Sequence, residues 1–285
     1  MKLATMTVDG GAPEIGLVKG DQVVRLKQAL PGLPTSMIEL IARWDAVRGD
    51  VERATDEAAT LPMARVQLLP PISNPGKIMA MGLNYADHVR EGGAAMPQHQ
   101  IWFAKCVSAV HAPFAPIQVP KVSDAVDYEV EMVFVVGKRG RHISRAAAPG
   151  HVFGYCVGND VSVRDWQLRT PQGILGKSFD THAPFGPWIT TADEVGDPHR
   201  LDIRCLVNGD VRQNSNTREF IFDVYEQIAY LSQSMTLEVG DVIYTGTPGG
   251  VGVAMKPPIY LKAGDRVRCE IDGLGAIEAT LENEA

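Results

Sequence analysis

Residues 127–137, Asp-Tyr-Glu-Val-Glu-Met-Val-Phe-Val-Val-Gly, set three alternate carboxylates directly before an unbroken apolar run. In a strand, residues two apart share a face, so Glu129 and Glu131 project together, close enough to repel. A solvent-facing sheet edge would account for alternating acids. The run Met132–Gly137, however, reads as a strand buried on both faces, and carboxylates beside such a core need positive partners. A divalent cation is the economical one. Asp160, just past the apolar stretch 152–159, is a third oxygen donor if the two strands are neighbours. Three carboxylates without Cys or His suit Mg2+, or alternatively Mn2+ or Ca2+, better than structural Zn2+.

The remaining chain is also rich in strand patterns. Segments 77–83, 131–137, 152–163, 201–209, 241–246, 266–271 and 276–281 all read as strands, and 222–235 as a helix with Val224, Ile228 and Leu231 on one face. Residues 1–70 look like a small α/β unit, with strands at 2–8, 14–18 and 22–26 and one helix over 35–54. Residues 69–76, Leu-Pro-Pro-Ile-Ser-Asn-Pro-Gly, form a linker. Many strands with few helices predict a β-rich α+β fold, not a doubly wound nucleotide-binding sheet. The expected division is a small N-terminal domain, 1–70, and a β-roll domain, 71–285.

A formal net charge of −7 over 285 residues, with no basic stripe, argues against nucleic acid. No apolar run approaches the ~20 residues that span a bilayer, and the first residues lack a signal-peptide pattern. Cys106, Cys156, Cys205 and Cys269 form no C-x-x-C pair. Buried thiols in a reducing compartment are the simplest reading, so the chain is expected to be cytoplasmic.

Asn-Tyr-Ala-Asp-His-Val-Arg-Glu-Gly-Gly, residues 84–93, predicts a short helix with Asn84 as its N-cap and a stop at Gly92–Gly93. His88 and Glu91 then share a face, a spacing that can make a general base but also occurs as a plain surface pair. Gly-Ile-Leu-Gly-Lys-Ser lacks the first glycine of a phosphate-binding loop, because Pro171 stands there. Thr-Gly-Thr-Pro-Gly-Gly-Val-Gly, 245–252, is either a simple turn or a nest of N–H groups for a carboxylate. No G-x-S-x-G or H-E-x-x-H occurs.

Taken in order, MGLNYADHVRE, VDYEVEMVFVVGK, GYCVGNDVSVRDWQ, LGKSFDTHAPFGPWIT, LVNGDVRQNSNT and GDVIYTGTPGGVG resemble the fumarylacetoacetate hydrolase family over roughly residues 77–281. The resemblance implies a mixed β-sheet roll enclosing a catalytic metal, preceded by a small N-terminal α/β domain, and a homodimer. It makes Glu129, Glu131 and Asp160 the metal ligands and His88 with Glu91 a water-activating dyad on a segment that orders with substrate. It makes Lys177 the catalytic lysine and Lys105, Arg164, Gln167 and Thr247 substrate contacts, with Asp127 in support. Two departures border the pocket: Cys106 stands where a proline is common, and no Trp precedes Lys177.

These roles imply Mg2+-dependent hydrolysis of a carbon–carbon bond in a β-diketo acid such as an acylpyruvate. The same site would serve an isomerase or decarboxylase of a hydroxymuconate- or oxaloacetate-type dicarboxylate. A metal-dependent binding module without turnover is the alternative from another class.

Overall fold

The computed structural model describes residues 1–54, 59–93 and 95–285. It is strand-rich α+β, built on one large mixed sheet and one smaller sheet. The large sheet runs, edge to edge, through Thr60–Pro62, Gln22–Arg25, Glu14–Lys19, Lys2–Val8, Ala183–Thr191, Val152–Asn159, Val130–Val136, Val242–Tyr244, Ile78–Gly82 and Ile101–Lys105. The smaller sheet orders Asp210–Asn216, Asp202–Val207, Arg266–Ile271, Gly275–Asn283 and Ile117–Val119.

Val130–Val136 lies at the centre of the large sheet, and all seven of its residues are buried. Alternate side chains enter different cores: Val130, Met132, Phe134 and Val136 join one cluster, Val133 and Val135 the other. That two-sided burial is what the unbroken apolar run requires. Each fully buried Val or Phe stabilises the fold by roughly 1.5–3 kcal/mol, so this strand anchors everything attached to its acidic start.

The boundary expected at residue 70 falls in a loop, but strands from its two sides share the sheet. Lys2–Val8 pairs with Ala183–Thr191, and one cluster holds Leu3, Ile15 and Leu40 together with Ile78, Val133 and Tyr244. The helix expected over 35–54 is two helices, Met37–Ala42 and Trp44–Arg53, broken at Arg43 with φ −107° and ψ 10°. The break sets Trp44 edge-on to Phe153, ring centroids 5.1 Å apart. The helix Val224–Ser234 begins with a capping box between Asp223 and Glu226.

Ala183–Thr191 has no strand signal in its sequence, because Pro184, Gly186 and Pro187 interrupt it. It is nevertheless the strand that joins the N-terminal part to the rest. Its neighbour approaches so closely at Gly154 that a Cβ there would lie 2.3 Å from the Thr190 carbonyl oxygen. Backbone cannot yield as a side chain can. Gly154→Ala should therefore destabilise the protein by about 2 kcal/mol or more, seen as a lower urea midpoint. A wild-type midpoint would contradict this packing.

Candidate metal centre and active site

Register brings the three carboxylates together. Val130 pairs with Asn159, and the Asp160 N–H donates to the Glu129 carbonyl at 2.9 Å. Asp160 therefore lies beside the acidic start of the central strand. Oxygens of Glu129, Glu131 and Asp160 lie within 4.8 Å of one another, and all three residues are buried.

Cations reach two of the three. Lys177 Nζ, on the turn Leu175–Lys177, bridges Glu129 Oε2 at 2.8 Å and Asp160 Oδ2 at 2.7 Å. Lys105 Nζ, from the edge strand, donates to Asp160 Oδ1 at 2.5 Å and to the Val161 carbonyl at 3.3 Å. Arg164 Nη1 lies 2.6 Å from Glu129 Oε1. Burial alone would raise the Glu129 carboxyl, but Lys177 and Arg164 outweigh it and hold the group well below the usual carboxylate range. His88 adds a smaller contribution in the same direction. Burial likewise lowers both lysines. In Lys177 the Asp160 and Glu129 charges overcome it, whereas Lys105 remains lowered.

Glu131 is the exception. Among the described residues its hydrogen-bond donor is the Gly246 N–H, 2.7 Å from Oε2, and no lysine or arginine pairs with it. Burial, then the charges of Asp160 and Glu129, push its carboxyl well above the usual range. Two carboxylates ~4 Å apart repel by about 4 kcal/mol at an effective dielectric constant of 20. A single charge-assisted hydrogen bond contributes about 1.5–3 kcal/mol, so the Gly246 N–H does not offset the repulsion. A divalent cation among the three oxygens does, and the all-oxygen donor set suits a hard ion. The residues present fit the metal.

Asp127 is saturated. It accepts from the N–H groups of Tyr128, Gly252 and Val253 and from Arg164 Nε, each at 2.8–2.9 Å. It braces Arg164 and has no lone pair to spare. Arg164 Nη1 also donates to Gln167 Oε1 at 2.9 Å, while its buried Nη2 has no partner among the described residues. The Thr247 hydroxyl donates to the Val130 carbonyl and accepts from Gln213 Nε2. Gln213, which lies in the family-like stretch 206–217 but is not among the expected site residues, also accepts from the Val130 N–H. Phe103 lies under Lys177 Nζ, 5.0 Å from its ring centre.

The short helix is Ala86–Gly92, closed by Gly93 in the left-handed region. Asn84 is not its cap: Tyr85 is the N-cap residue. The Asn84 side chain instead donates to the Phe222 and Thr245 carbonyls and accepts from the Phe222 N–H. That work ties strand Ile78–Gly82 to the glycine-rich loop and leaves no capping oxygen free. His88 Nδ1 stands 3.6 Å from Glu91 Oε2 and has no hydrogen-bond partner among the described residues. Glu91 accepts from the Gly250 N–H at 2.9 and 3.1 Å. The loop expected to be a turn or a nest thus receives the protein's own carboxylates.

A strand-rich α+β fold that buries three carboxylates among lysine and arginine counter-charges makes a candidate metal centre. Residues 77–282 match the model of the fumarylacetoacetate hydrolase C-terminal domain, and the chain belongs to this family. It is 46% identical over 274 residues to the mitochondrial oxaloacetate tautomerase fahd2 of Xenopus laevis, covering 94% of this chain and 86% of that one. It is 43% identical over 270 residues to the mitochondrial oxaloacetate tautomerase FAHD2A of Homo sapiens, covering 93% and 86%. The maleylpyruvate hydrolase of Sphingobium sp. SYK-6, solved with manganese(II) and pyruvate, matches with TM-score 0.85 and 36% identity over the whole of both chains. The 5-carboxymethyl-2-hydroxymuconate delta-isomerase of Mycobacterium smegmatis matches with TM-score 0.80 and 32% identity, again over both whole chains. Among the described residues no helix is long and apolar enough to cross a membrane.

Mn2+ at a hundredfold excess over its Kd should raise stability by about 2.7 kcal/mol through linkage, and Glu131→Ala should abolish that shift. Burial and the neighbouring Asp160 and Glu129 charges raise the Glu131 carboxyl in the metal-free protein, so metal binding competes with its protonation. Mn2+ affinity should then rise with pH up to the Glu131 pKa. Calorimetry showing equal Mn2+ binding by wild type and Glu131→Ala would contradict the assignment.

Proposed function

We propose that the protein is a divalent-metal-dependent tautomerase that interconverts the keto and enol forms of an oxaloacetate-type 2-oxo dicarboxylate. The observation that carries this reading is the unassembled dyad. Glu91 is bound to Gly250 and stands 3.6 Å from His88 Nδ1, so His88 is a base without a carboxylate hydrogen-bonded to it. Moving a proton between carbon and oxygen needs a base beside an enolate site and needs no activated water. The 46% identical relative, named an oxaloacetate tautomerase, supports the same reading.

A divalent cation held by Glu129, Glu131 and Asp160 would polarise the 2-oxo group and lower the cost of the enolate. The chain's own groups do the rest. Arg164, fixed by Asp127 and Glu129, offers its free Nη2 to the adjacent carboxylate of the substrate. Lys177, kept charged by Glu129 and Asp160, adds positive charge where the enolate oxygen develops. His88 removes the proton from the carbon next to the 2-oxo group, and a proton is delivered to the enolate oxygen to give the enol; the reverse transfers restore the keto form, so composition is unchanged. We place Lys105 behind the site, holding Asp160, and Gln167 and Thr247 as supports of Arg164 and of the central strand.

The second reading is hydrolysis of an acylpyruvate, with His88 taking a proton from water that attacks the distal carbonyl. The maleylpyruvate hydrolase solved with manganese(II) and pyruvate favours it. Mg2+ or Mn2+ would serve either reaction, and the homodimer implied by the family remains part of the proposal.

The test follows the enol absorbance of oxaloacetate, and separately of a panel of acylpyruvates, with and without EDTA. Tautomerisation should be accelerated, should stop with EDTA, and should fall by about 10²-fold or more in His88→Ala, the scale of general-base catalysis. Acylpyruvate cleavage without any faster tautomerisation would overturn the first reading in favour of the second. Arg164→Lys, which loses the planar fork, should raise KM while Mn2+ affinity stays put. Unchanged KM would make Arg164 a structural partner of Asp127 only.

A further inference from the structure

Little packing holds the helix that carries His88. Of Ala86–Gly92, Val89 is the one buried residue, and so short a helix does not persist on its own in water. Its N-cap, Tyr85, makes no capping bond through its side chain. Polar contacts therefore help set its position: Arg90 Nη2 reaches Glu219 Oε2 at 3.1 Å on the exposed side, and the remaining contacts converge on two acids. Asp87 Oδ2 accepts from the Ser215 hydroxyl at 2.5 Å. Asp87 Oδ1 accepts from the His88 N–H at 2.6 Å and faces the Gly249 N–H at 3.4 Å. One turn later Glu91 sits on the Gly250 N–H.

The surface that receives these acids is shaped for them. Gly250 has φ +100°, and a Cβ on it would lie 2.0 Å from the Arg212 carbonyl oxygen. A Cβ on Gly249 would come within 3.3 Å of Glu91 Oε2. The same loop presents the Gly246 N–H to Glu131 and the Gly252 and Val253 N–H groups to Asp127. Whatever is fastened to Gly249–Gly250 is therefore held in a fixed relation to the carboxylate triad and to Arg164.

We infer that Asp87, braced by Ser215, is a positioning residue: it latches the His88 helix onto the Gly249–Gly250 turn and so sets the imidazole against the metal centre. The inference rests on the reading of His88 as the base and goes beyond it. Asp87 touches no substrate. Its carboxylate joins three chain segments, the helix, the strand Asp210–Asn216 and the loop.

The experiment uses the full-length, Mn2+-loaded protein as wild type, Asp87→Ala, Asp87→Asn and Ser215→Ala. Hydrogen exchange of amides 86–92 should quicken by about tenfold or more in Asp87→Ala, as expected for the loss of the Ser215 and Gly249 contacts. The change in Ser215→Ala should be smaller and in the same direction. In Asp87→Ala, kcat should fall about tenfold or more with little change in KM, because a misplaced base affects the chemical step. Asp87→Asn keeps an oxygen for the His88 and Gly249 N–H groups and should recover most of the loss in both readouts. Mn2+ affinity should stay the same in all four proteins. Unchanged exchange over 86–92 in both Asp87→Ala and Ser215→Ala would overturn the latch, as would an Asp87→Asn variant as impaired as Asp87→Ala. If the wild type does not tautomerise oxaloacetate, the functional reading fails by itself, and the exchange arm still decides the latch.

Discussion

Mutual repulsion among Glu129, Glu131 and Asp160 is the constraint on which the rest of the site depends. Three buried carboxylates within 4.8 Å of one another persist only if the fold brings counter-charge to them from several directions. Lys105 arrives from the edge strand, Lys177 from a short turn, and Arg164 from the helix Arg164–Gln167. Arg164 in turn needs Asp127, and Asp127 needs the Gly252 and Val253 N–H groups. The central strand, buried on both faces, holds the acids rigid enough for these distances to be kept. One place is left for a further positive charge, beside Glu131.

The segment 245–253 connects the separate parts. Its backbone donates to Glu131, Glu91 and Asp127, so metal ligand, helix anchor and arginine support share one short stretch of chain. Thr247 and Gln213 fasten the stretch to Val130. Glycine at 250 is required by close approach to the Arg212 strand and by positive φ. A carboxylate-binding nest is thereby used on the protein's own side chains.

Much of this was legible in the sequence, and the reasons can be named. Alternation at 129 and 131, followed by an apolar run, carries its own geometry, because strand periodicity and two-sided burial are local properties. The helix at Val224–Ser234 likewise shows its period and its cap. The role of Ala183–Thr191 was hidden because prolines and glycine mask a strand whose pairing is decided by partners far along the chain. Asn84 read as a cap because capping is a local habit, whereas its hydrogen bonds go to Phe222 and Thr245. Gln213, Asp87 and Ser215 lie within the family-like stretches 81–91 and 206–217 but carry no role that local spacing reveals, and their work appears only when three distant segments meet. The break at Arg43 was equally invisible, since apolar spacing continues across it toward Phe153.

If a divalent cation completes the charge balance at Glu131, anomalous diffraction from Mn2+-soaked crystals should show a single strong peak with one oxygen each from Glu129, Glu131 and Asp160 about 2.0–2.6 Å away, the range of Mg2+ and Ca2+ oxygen ligation. A peak elsewhere, or density that leaves Glu131 uncoordinated and bonded only to Gly246, would contradict it.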